Sequence, residues 1–104
     1  MGKFVFAYQG GSAPQSPEEG EKVMAAWMGW FGSLGAAVLD GGNPFGSSKV
    51  ITSDGAVADG GAGSLTGYSI ITADSLDAAA GLAGGCPLLT SGGTVAVYET
   101  HDMG

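Results

Sequence analysis

The sequence predicts an α+β fold, with two helices covering one face of a small antiparallel sheet. Three observations carry this. Strand-like apolar runs stand at the start, the middle and the end of the chain. Two segments between them carry helix start and stop signals. The order is strand, helix, strand, then a glycine-rich arm, then strand, helix, strand.

The first strand is read at residues 3–9. Phe4, Phe6 and Tyr8 share one face, with Val5 and Ala7 on the other, so both faces expect cover. Gly10 to Pro14 is a loop. Ser16, Pro17 and Glu19 then form a helix start. Ser16 is the N-cap, Pro17 takes the first helical position, and Glu19 completes the Ser-x-x-Glu capping box. Glu18, Glu19 and Glu21 suit the positive end of the helix dipole. Val23, Trp27, Trp30, Phe31 and Leu34 follow at helical spacing, Met24 and Met28 widen that stripe, and Gly35 stops the helix.

A second strand is expected at 36–41, closed by Gly41-Gly42-Asn43-Pro44. Residues 43–65 read as an inserted arm, with a short strand at 49–52, a Ser53-Asp54-Gly55 hairpin turn and a loop at 59–64. Residues 65–73 hold the clearest late strand. Asp74 or Ser75 caps a second helix, Asp77 lies in its first turn, and Leu76, Ala79, Ala80 and Ala83 give it a narrow packing stripe. Gly84-Gly85 and Pro87 end it, and Thr94 to Glu99 form the last strand. This β-α-β-β-α-β order, with a hairpin arm inserted, is the ferredoxin-like arrangement.

Composition bounds the function. One domain, 1–104, fits the 104 residues. Ten acids oppose three lysines for a net charge of −7, which leaves no basic stripe for nucleic acid and disfavours an anionic membrane surface. The single cysteine, Cys86, cannot form a disulfide framework, and no signal peptide or membrane span is read, so a cytoplasmic location is expected.

Few residues carry chemistry. His101 is the only histidine and sits in a tail past the last strand, where it reads as solvated. Cys86 follows a helix C-terminus, the wrong dipole end to activate a thiolate, and reads as a buried apolar residue. Asp40 follows the apolar run Ala36 to Leu39. It either lines a pocket at the end of a buried strand or accepts hydrogen bonds from the Gly41-Gly42-Asn43 turn. Trp27 and Trp30 either wall a ligand or simply fill the core. The acids Asp54, Asp59, Asp74 and Asp77 miss calcium-loop spacing, Gly60 to Gly63 opens no helix, and no Cys/His spacing suits zinc; no cofactor is expected.

The stretch Gly67 to Ala79, then Cys86-Pro87 and Gly92 to Glu99, resembles the C-terminal half of YCII-related, DGPF-type domains. The first half, closed by Leu39-Asp40-Gly41-Gly42, is similar too. The resemblance implies a dimeric α/β barrel in which two ferredoxin-like sheets face each other. The Asp-Gly-Pro-Phe motif should fall at Asp59-Gly60-Gly61-Ala62, where only Asp-Gly is kept. Family members proposed as enzymes carry a His on the first helix and an Asp directly before a Pro after the second. Here Ala25 to Trp27 offers no His, and Cys86 precedes Pro87.

The expected protein is therefore a homodimer and a non-catalytic module, taking a small apolar or aromatic ligand between the sheets. Tyr8, Trp27, Asp40, Asn43 and Tyr68 are the candidate ligand-binding residues. The alternative is a cofactor-independent enzyme using Asp40 and a tyrosine (Tyr8, Tyr68 or Tyr98). Strands apolar on both faces, with helices for only one, point to the dimer independently.

Overall fold

The computed structural model describes residues 2–11, 14–59 and 65–103. Strand β1 (Gly2–Gln9) is followed by helix α1 (Pro17–Leu34), β2 (Val38–Asp40), β3 (Lys49–Ile51), β4 (Val57–Asp59), β5 (Leu65–Ala73), α2 (Leu76–Ala83) and β6 (Thr94–Glu99). Four strands form an antiparallel sheet in the order β2-β5-β1-β6. Among the described residues the other two, β3 and β4, pair only with each other.

The period-2 rule decides what the main sheet buries. Phe4, Phe6 and Tyr8 of β1 pair with Ile71, Ser69 and Gly67 of β5, and all six are buried. Trp30 of α1 and Ala79 and Ala83 of α2 join the same core, so both helices cover this one face. The Trp30 ring stacks on Phe6 at 5.9 Å, and its indole N–H donates to the Leu82 carbonyl at 3.1 Å, which ties the two helices together. The opposite face carries Val5, Ala7, Tyr68, Ile70, Ala96 and Tyr98, which lie outside the core that α1 and α2 join.

Local signals explain most boundaries. Ser16 Oγ accepts the Glu19 N–H at 3.1 Å, while Glu19 reaches back to the Gln15 N–H at 3.3 Å. Gly35 ends α1 at φ +57°. For α2 the cap is Ser75, whose hydroxyl accepts the Ala78 N–H at 3.0 Å.

Several expectations are corrected. The strand expected at 36–41 is only Val38–Asp40, because Gly35–Ala37 forms a turn of 3-10 helix first. Small residues after a glycine close that turn, and the strand begins at the first β-branched residue. A register shift sets both Leu39 and Asp40 against Ile70, so this edge strand is not buried, and both residues are exposed. The α1 stripe packs through its second half only: Val23 is exposed, and Trp27 to Leu34 hold the contacts. In α2, Leu76 and Ala80 are exposed and only Ala79 and Ala83 are buried. Asp59 ends strand β4 instead of opening a loop. The rest of the expected 59–64 loop lies outside the described residues, as do Ser12 and Ala13 of the first loop.

Candidate functional site

After β2 the chain turns back over the end of β5. Asp40 Oδ1 accepts the Gly42 N–H at 2.8 Å, and Gly42 takes φ +74°. A Cβ at Gly42 would lie 1.7 Å from the Tyr68 carbonyl oxygen, so only glycine lets the two backbones approach this closely. Pro44 then bridges to Gly67, and the Phe45 N–H donates to the Thr66 carbonyl at 2.9 Å. The crossing segment forms one wall of a cleft of about 260 Å³.

The floor and the other walls come from β1, β5 and α1. Tyr8, Trp27 and Phe31 contribute rings, and Leu88, Pro44, Asn43 and Tyr68 border the cleft beside them. Tyr8 meets the Trp27 indole edge-on at 5.1 Å, and Phe31 tilts against Trp27 at 5.8 Å. Leu88 is held from behind by two glycines: a Cβ on Gly11 or on Gly93 would come within 2.6 Å of it. On the uncovered face, Phe45 stacks on Tyr68 at 5.6 Å.

Polar groups at the floor are already engaged. Tyr8 Oη donates to Ser69 Oγ at 2.7 Å, and Ser69 donates to the Gly41 carbonyl at 2.7 Å. Ser69 is fully buried, so this chain satisfies a hydroxyl that could not otherwise be left in the core. Burial pushes the Tyr8 phenol up to about 12. It is a proton donor held in a fixed bond, and at neutral pH a poor base.

The structure thus brings Tyr8, Trp27, Asn43 and Tyr68 to one cleft, and leaves Asp40 behind its wall as the acceptor for the turn. Phe31, Gly42, Pro44 and Leu88 were missed as lining residues. Phe31 was legible as part of the α1 stripe, but Leu88 carries no signal beyond following Pro87. The cleft lies within one chain, between α1 and the sheet end; a cavity between facing sheets would need a second copy.

Other single residues resolve simply. Cys86 is 1% exposed, and burial pushes its thiol up. His101 is exposed, 3.5 Å from Glu99. No group of three or more His, Cys, Asp or Glu residues is placed to hold a metal among the described residues. No helix among them is long and apolar enough to cross a membrane.

Fold and site together define the class: a small α+β domain with an aromatic cleft beside one uncovered sheet face. No protein-family model, curated protein or solved structure matches the chain.

Proposed function

We propose that this chain is a homodimeric, non-catalytic binding module of the YCII-related, DGPF type, taking a small apolar or aromatic ligand. The observation that carries the binding reading is the cleft. Three aromatic rings, of Tyr8, Trp27 and Phe31, line it, and the Tyr8 hydroxyl at its floor and the Ser69 hydroxyl behind that are spent on each other and on Gly41. Such a site rewards apolar burial and offers little to a polar substrate.

The strand order β2-β5-β1-β6, with a helix crossing over after β1 and another after β5, supports a ferredoxin-like fold. The apolar face bearing Val5, Ile70 and Tyr98 supports a second copy packed sheet to sheet, as in a dimeric α/β barrel. A lone, buried cysteine supports a cytoplasmic location. The enzymatic alternative has less behind it. Asp40 is exposed and occupied by the Gly42 N–H, and the Tyr8 phenol titrates too high to serve as a base.

Titration with benzyl alcohol, followed by amide and indole N–H resonances, tests the binding reading. Shifts are expected at the Trp27 indole and at Gly42, Asn43, Gly67 and Tyr68. Saturating probe with those signals unmoved would contradict it.

A further inference from the structure

The charge around the cleft is one-sided. None of the three lysines, Lys3, Lys22 and Lys49, lines it, and neither does His101. The carboxylate of Asp40 is bonded directly to Gly42, a wall residue. Helix α1 also ends here: Phe31 belongs to its last turn, and that turn carries no basic residue to offset the negative end of the dipole. The whole chain adds a net charge of −7.

The lining adds its own field of the same sign. Tyr8, Trp27 and Phe31 are π-systems with negative faces, and a weakly hydrated organic cation is attracted to such faces. An anion entering this cleft meets no cationic side chain. A neutral molecule gains apolar burial alone. A cation with an alkylated head gains the same burial, the ring quadrupoles and the surrounding negative potential. Its weak hydration keeps the desolvation cost low.

We infer that the cleft takes small organic cations with an alkylated ammonium head, in preference to neutral molecules of the same shape. This rests on the binding reading above and names its ligand class. The cation sits among the rings of Tyr8, Trp27 and Phe31, and Asp40 acts from behind the wall through the field alone.

Two probes of one shape separate charge from size: choline, and 3,3-dimethylbutan-1-ol, in which carbon replaces the quaternary nitrogen. Both are titrated against the resonances used for benzyl alcohol. Choline is expected to bind at least about fivefold more tightly at low salt, and the advantage shrinks as ionic strength rises. Asp40→Asn keeps an oxygen for the Gly42 N–H and removes the charge. It should lower the preference for choline over the alcohol, read as the ratio of the two affinities. Should choline fail to exceed the alcohol while benzyl alcohol still shifts the cleft, the cation preference is overturned and the apolar site stands. With benzyl alcohol also inert, both readings fall together.

Discussion

The two sheets of this molecule use the same strand chemistry to opposite ends. In the four-stranded sheet, Phe4, Phe6 and Ile71 disappear beneath two helices. In the β3–β4 hairpin, Val50, Ile51 and Val57 have comparable β-propensity, yet Ile51 is 67% exposed and all three face solvent. A two-stranded hairpin has no face of its own to bury and is marginal alone in water. Strand formation and burial are therefore separate events: the residue pattern sets the first, and cover set elsewhere in the chain decides the second.

Substitutions that act on one region and spare the other sharpen this contrast. The largest effect is expected at Gly42, where the main sheet receives its crossing segment. Gly42→Ala forces a Cβ into the Tyr68 carbonyl at positive φ and should cost at least about 3 kcal/mol, read from the urea midpoint. Phe6→Ala, in the covered face, should cost about 3–5 kcal/mol by the same measurement. Ile51→Ser, in the hairpin, should stay within about 0.5 kcal/mol. Equal losses at Phe6 and Ile51 would break the comparison.

A smaller effect concerns pH. The Tyr8 phenol is raised by burial from the ordinary 10 to about 12. Between those values the native state holds a proton that the unfolded chain has released, so its contribution is complete below pH 10 and lost as pH rises toward 12. The wild type should lose stability over that window relative to Tyr8→Phe, measured by denaturant titration at several pH values. Parallel curves would place the phenol in a wetter setting than the buried bond to Ser69 describes.

The smallest expected effect is kinetic. Cys86, buried with its thiol raised, should label more slowly than a free thiol at neutral pH, and at a rate that follows opening of the fold. Rapid labelling of the native protein would contradict the burial.

Much of the main sheet was legible in the residues, because its signals are local. Ser16-Pro17-Glu19 announces α1, and short strand-like runs bounded by turn residues mark β1 and β5 without reference to the rest of the chain. What failed depends on distant partners. The Ala36 to Leu39 run looks buried, but an edge position and a register shift expose Leu39 and Asp40. Val23 fits the helical stripe, but it is exposed and stands outside the core that the second half of α1 joins. The site was half legible for the same reason. Tyr8 and Trp27 stand out as aromatic residues on strong elements. The part of Leu88 depends on two glycines far apart in sequence, Gly11 and Gly93, which make room for it.

The contrast between covered and uncovered surface also runs through the main sheet itself. One face is sealed by α1 and α2, while the other presents Val5, Ile70 and Tyr98 with Phe45 and Tyr68 stacked beside them. A self-complementary contact between two copies would remove that apolar face from water. Sedimentation equilibrium across micromolar concentrations tests this most directly. The account predicts the mass of a dimer throughout that range, and a clean monomer mass would contradict it.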